Sequence, residues 1–180
     1  MDLRLEQVDD HGAVCDLHRQ AFGDHGATVA DLVDALRRDD PAALSLVAED
    51  AGEVVGHVMS TRSRLDAPRR LIEVQVLSPL AVLPQCQREG IGAALVRHGL
   101  RRLDQQGVPL VFLEGDPGYY SRLGFTPGGE HGFRKPSLRI PDAAFQVAML
   151  STYEPWMSGT FVYSSTFWDH DCVGLRDRRE

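Results

Sequence analysis

Six residues, Gln87-Arg88-Glu89-Gly90-Ile91-Gly92, stand between an apolar run and a long amphipathic segment, and their types suit one kind of chemistry, the holding of an anion. Gly90 and Gly92 leave the backbone bare where a helix is about to begin. The first N–H groups of a helix have no intrahelical partner and sit at the positive end of its dipole, so a phosphate can settle directly on them. Two familiar nucleotide sites are excluded: the chain has no Gly-x-x-x-x-Gly-Lys-Ser/Thr run, and Gln87 to Gly92 lacks the order Gly-x-Gly-x-x-Gly. Cys15, Cys86 and Cys172 are too far apart for a zinc or disulfide framework. A nucleophilic Cys86 has no His or carboxylate partner placed beside it by sequence.

The elements that must position this cradle are readable on both sides. Leu80-Ala81-Val82-Leu83 is a strand end stopped by Pro84, and a helix is expected from about Gly90 to Gly107. Ile91, Leu95, Val96, Gly99, Leu100 and Leu103 form its apolar arc, opposite Arg97, Arg101 and Asp104. Val108 to Gly115 is nearly all apolar, which predicts a strand buried on both faces and parallel to the one before the helix. Asp116-Pro117 opens a short helix over Gly118 to Leu123, with Asp116 as its cap, and Phe125 begins another strand.

Upstream, a weak strand at Leu3 to Gln7 precedes a helix capped at Asp9-Asp10 and running through Phe22, then a second helix capped by Thr28 and stopped at Asp40-Pro41. Leu44 to Glu49 and Glu53 to Arg62 read as a hairpin around Asp50-Ala51-Gly52. Leu71 to Leu83 is a third strand, in which Pro79 predicts a bulge or a parting from a neighbour. Downstream, Ala143 to Leu150 is an irregular strand, Gly159 to Tyr163 and Phe167-Trp168 supply aromatics that pack on the body or cover a cleft, and a frayed polar end is expected from Asp169.

Composition bounds the setting. The chain has 180 residues, 43% of them hydrophobic and 25% charged, enough for one globular domain with its own core. A net charge of −7, with arginines only in scattered pairs, argues against a nucleic-acid backbone as partner. No secretory signal opens the chain and no run reaches the ~18 apolar residues of a membrane helix, so a cytoplasmic location with no membrane partner is expected.

The element order, with Gln87, Gly90 and Gly92 matching Gln/Arg-x-x-Gly-x-Gly/Ala, resembles the GNAT superfamily of N-acetyltransferases. Leu80-Ala81-Val82 and Gly115-Asp116-Pro117-Gly118-Tyr119-Tyr120-Ser121-Arg122-Leu123-Gly124-Phe125 match two further signatures of that family in order and spacing, as in a bacterial branch of it. The resemblance implies an α/β (α+β) fold with a central mixed, mostly antiparallel sheet splayed between the fourth and fifth strands and flanked by helices. It covers residues 1–150 as the acetyltransferase domain, with 151–180 as a carboxyl-terminal extension packing on it. Acetyl-CoA is the implied cosubstrate, with no metal. Its pyrophosphate would rest on Gln87, Arg88, Glu89, Gly90, Ile91, Gly92 and Ala93, and its pantetheine arm would lie beside Leu80, Ala81 and Val82.

The implied reaction is direct attack by a primary amine of a small molecule or peptide on the thioester, with a backbone N–H near Val82 polarising the carbonyl and Tyr120 protonating the thiolate. Tyr119 and Tyr120 are otherwise packing aromatics. The resemblance places a carboxylate base at Val76, where this chain has none, leaving Glu73, Glu114, His57, His131 or a water as alternatives. Glu89 beside a pyrophosphate is unfavourable unless it turns to solvent. A non-catalytic acyl-CoA-binding or regulatory domain is the alternative class, and a homodimer is left open.

Overall fold

The structure is a computed structural model and describes residues 1–174. Its strands are β1 (Asp2–Leu5), β2 (Leu44–Asp50), β3 (Glu53–Asp66), β4 (Leu71–Val82), β5 (Leu110–Glu114), β6 (Thr126–Pro127), β7 (Phe133–Arg134), β8 (Phe145–Met149) and β9 (Gly159–Val162). Its α-helices are α1 (His11–Ala21), α2 (Gly26–Asp39), α3 (Ile91–Gln105), α4 (Pro117–Tyr120) and α5 (Ser165–Asp169). Among the described residues the sheet order is β1-β2-β3-β4-β5-β8-β6, with β9 pairing both β3 and β7. The β4–β5 pair is parallel within an otherwise mainly antiparallel sheet, as the α/β expectation required. No helix among the described residues is long and apolar enough to cross a membrane.

Two compact units divide these elements, and β3 and β4 contribute to both. The first comprises residues 1–61 and 77–105. Here β1, β2 and the first part of β3 form antiparallel pairs, with a bulge between Ala48 and Glu49. Strand β4 runs through Pro79 to Val82, while its pairing with β5 ends at Val76, just before the proline, where a parting from a neighbour is expected. Helix α2 begins two residues before the expected cap at Thr28. A Cβ on Gly26 would fall 2.3 Å from the Arg19 carbonyl, so close crossing of α1 sets the start where no side-chain cap is present. Helix α3 lies on β3 because Gly56 makes room: a Cβ there would stand 3.0 Å from both Ile91 Cγ2 and Leu95 Cδ1. Leu46 of β2 and, on α3 itself, Leu95 and Val96 are fully buried.

The second unit comprises residues 62–76 and the described residues from 106 onward. Its parallel pairing is confined to Gln75 with Val111 and Val76 with Phe112, after which β5 continues only against β8. Phe112 centres an aromatic cluster, 4.6 Å from Phe161, 5.2 Å from Phe133 and 5.6 Å from Phe145 by ring centroids. Three of the aromatics after Leu150 are core: Phe161 lies in β9, Tyr163 packs on it, and Phe167 packs on Tyr163 from α5, whereas Trp168 is exposed. The frayed end expected from Asp169 is corrected as far as residue 174, since Val173 is buried and Gly174 N–H is hydrogen-bonded. The remainder of that expectation lies outside the described residues.

Candidate active site

The loop between β4 and α3 is held by its own short-range bonds. Leu83 N–H donates to the Val55 carbonyl, Cys86 N–H to the Leu83 carbonyl, and the Gln87 side-chain amide to the Val82 carbonyl at 3.1 Å. Gln87 therefore ties the loop back to the strand end that precedes it. Arg88 and Gly90 both take left-handed backbone conformations, at φ 67° and 85°. Only at Gly90 is this free of steric cost. The first α-helical bond of α3 runs from Ala94 N–H to the Gly90 carbonyl, which leaves the N–H groups of Ile91, Gly92 and Ala93 at the open end of a 15-residue helix. No acidic residue lies in that first turn, and Glu89 is exposed, the arrangement a bound anion requires. Ala81 is buried, while Leu80 and Val82 are half-buried.

In the second unit, Asp116 Oδ1 accepts from Gly118 N–H at 2.9 Å and caps α4, which carries Tyr119 and Tyr120. The Tyr120 ring lies directly on Gly115: a Cβ at Gly115 would come within 2.4 Å of it. Phe125 meets the same ring edge to face at 5.7 Å, and Gln146 Nε2 holds the Gly115 carbonyl. Burial, then the neighbouring Tyr119, pushes the Tyr120 phenol well above its ordinary pKa. It keeps its proton throughout the neutral range.

The four candidates for a base separate on burial and bonding. Glu73 is exposed and paired with Arg64 at 3.0 Å. The His131 ring meets Thr126 Oγ1 at 2.9 Å. His57 is wholly buried in a bonded chain: Ser45 Oγ donates to Glu6 Oε2 at 2.6 Å, so Ser45 must accept from His57 Nε2–H at 2.8 Å. His57 Nδ1 is then the acceptor for His18 Nε2–H, again at 2.8 Å. Glu6 is also paired with Arg37. Burial first, and positive charge at Arg37 among the lesser causes, pushes both imidazoles down to about 3. They are neutral structural histidines. Glu114, at the end of β5, is half-buried, and burial raises its pKa against the lowering effects of Tyr163, Gly174 N–H and Arg139.

Residues 2–128 match the acetyltransferase (GNAT) domain family. This chain belongs to the GNAT acetyltransferases. It is 37% identical over 130 residues to the N-acetyltransferase YjhQ of Escherichia coli (strain K12), covering 71% of each chain. It is 38% identical over 93 residues to a mycothiol acetyltransferase of Streptomyces coelicolor, of which it spans only 28%. Among solved structures, the GNAT family N-acetyltransferase YhbS of Escherichia coli in complex with CoA has a TM-score of 0.85 at 30% identity, covering 97% of this chain and 95% of that one. A GNAT acetyltransferase of Brucella melitensis in complex with acetyl-CoA has a TM-score of 0.73, also at 30% identity, over 92% of this chain and 97% of that one. For this GNAT chain the mixed sheet with its parallel β4–β5 pair, flanked by helices, matches the family's fold. Among the described residues, no group of three or more His, Cys, Asp or Glu side chains could hold a metal.

Proposed function

We propose that this acetyltransferase moves an acetyl group from acetyl-CoA to a primary amine of a small molecule or peptide by direct attack on the thioester. The observation that carries the proposal is the start of α3, where three N–H groups, two glycines and a first turn without an acidic residue can receive an anion. The pyrophosphate binds Gln87, Arg88, Glu89, Gly90, Ile91, Gly92 and Ala93 through their backbone, and the Gln87 side chain serves by fixing the loop. The pantetheine arm lies along Leu80, Ala81 and Val82, with a backbone N–H near Val82 polarising the carbonyl. Fixed dipoles of this kind need no reorganisation as the oxyanion forms.

Tyr120 supplies the proton for the departing thiolate. Residues 151–180 act as an extension of the catalytic domain. The test is to mix the purified protein with acetyl-CoA and a panel of amines, amino acids and peptides and to follow thiol release. Tyr120→Phe should lower the maximal rate by about 10-fold to 100-fold, within reach of general acid catalysis, while calorimetry shows acetyl-CoA binding unchanged. Full activity of that variant at every pH would remove the assignment to Tyr120. Binding of acetyl-CoA with no transfer to any amine would favour the non-catalytic acyl-CoA-binding class.

A further inference from the structure

The segment that carries Tyr120 is an arch with both feet on β8. One foot is the end of β5 with Gly115, the other is Phe125 with the start of β6, and α4 and the residues after it span the two. Leu113 of β5 and Pro127 of β6 stand opposite the same residue, Gln146. Directly opposed residues of paired strands point to one side of a sheet, and so do residues two apart along a strand, so Leu113, Gly115 and Gln146 share a face. The Tyr120 ring lies on that face. A Cβ on Gly115 would come within 2.4 Å of the ring and 3.3 Å of Leu113 Cδ1.

We infer that Gln146 is the positioning residue for Tyr120, acting through the backbone of Gly115, an inference that rests on the proton donation by Tyr120 proposed above. Gln146 Nε2 donates to the Gly115 carbonyl at 3.0 Å, and Gly115 N–H donates to the Ala144 carbonyl at 3.0 Å. The peptide groups on either side of the Gly115 Cα are thus both fixed from β8 and the residues leading into it. The ring resting on that Cα is met edge to face by Tyr119 at 4.9 Å and by Phe125 at 5.7 Å. With Gly115 as the floor and two aromatics as neighbours, the phenol is aimed in one direction. A shift of the floor moves the hydroxyl.

Gln146 is a poor choice for stability alone. It is 1% exposed, and while Nε2 is bonded, Oε1 has no partner among the described residues. A buried acceptor without a donor is a cost that an apolar side chain of the same length does not carry. Gly115 is half-buried, so its carbonyl can turn to solvent when Gln146 is replaced. Keeping the amide therefore costs the fold at one atom and grips the arch with the other, an exchange of stability for placement.

The experiment compares Gln146→Met, Tyr120→Phe and their combination in the full-length protein, following thiol release from acetyl-CoA with ethylamine, benzylamine and alanyl-alanine as amines. Gln146→Met should lower kcat by about 10-fold with KM and calorimetric CoA affinity unchanged, while its urea midpoint stays at or above that of the wild type. In the Tyr120→Phe background the same change should cost nothing further, because no phenol is left to place. Gln146→Glu restores a donor to Gly115 only while its carboxyl is protonated. Its rate should match the wild type at low pH and fall to that of Gln146→Met as the carboxyl ionises. Losses that multiply in the double variant, a rate loss that tracks a lowered urea midpoint, or a Gln146→Glu profile parallel to the wild type would each overturn the assignment. The two levels separate cleanly: a wild type that binds CoA but releases no thiol with any of the amines defeats the acetyl-transfer proposal and this inference with it, whereas a slow Tyr120→Phe beside a full-rate Gln146→Met defeats only Gln146.

Discussion

Acid should unlock the first unit at His18 and His57, and the size of the effect can be worked out. Both rings are 0% exposed, each neutral and bonded to the other. Their folded-state pKa values are about 3, against 6.5 for an ordinary histidine. A histidine depressed in the folded state binds protons first when unfolded, so its cost is absent above pH ~6.5 and grows as pH falls from there toward ~3. Between about pH 7.5 and about pH 5, each histidine costs about 2 kcal/mol, and the two together about 4 kcal/mol, a large part of the roughly 5–15 kcal/mol that holds a domain folded.

Urea unfolding at a series of pH values measures it. With a slope of about 2 kcal/mol per molar urea, the midpoint should fall by about 2 M over that interval. The double variant His18→Leu/His57→Leu should flatten the dependence. Glu114, whose pKa is raised, acts with opposite sign and adds stability as pH falls, so it cannot mimic the loss. A midpoint unchanged between the two pH values, or a double variant as acid-sensitive as the wild type, would refute the reasoning.

The other expectations concern the cradle and its supports. Gly90→Val places a branched side chain at φ 85° and should cost about 1–2 kcal/mol in stability together with most CoA affinity, read by melting and calorimetry. Gln87→Ala removes the bond to the Val82 carbonyl and should weaken CoA binding by about 2-fold to 10-fold, the equivalent of one hydrogen bond of about 0.5–1.5 kcal/mol. Gly56→Val crowds Ile91 and Leu95, so it should destabilise by about 1–3 kcal/mol and also loosen CoA through the displaced start of α3. Asp116→Ala removes the cap of α4 and should cost about 1 kcal/mol, with a fall in rate at unchanged CoA affinity because Tyr120 sits on that helix.

What could be read from the chain was set by range. Helix α3 announces itself through apolar residues at helical spacing closed by Gly107. The cap at Asp116 is visible because Asp-Pro acts within two residues. The start of α2 was misplaced because it depends on the contact between Gly26 and Arg19, a matter of helix crossing and not of capping. Pro79 predicts a bulge or a parting from a neighbour, and β4 runs on through it while its pairing with β5 ends at Val76, because a residue without an N–H leaves the strand intact but not its ladder. Strand β9, four residues long, carries too little alternation to be noticed. The groups around Glu114 lie 49 and 60 residues away in sequence, at Tyr163 and Gly174, so Glu114 was visible only as one carboxylate among several. His57 likewise drew notice as a reactive ring because its partner, His18, is 39 residues distant.

That partnership also bears on how the sequence can drift. The proton on His18 Nε2 is held by the lone pair of His57 Nδ1, and the single proton of His57, on Nε2, is already committed to Ser45. Replacing either ring by an apolar residue strands a buried polar atom of the other, while replacing both removes donor and acceptor at once. Positions 18 and 57 should therefore behave as a single heritable unit, retained together or exchanged together. A double replacement should be milder than the sum of its halves.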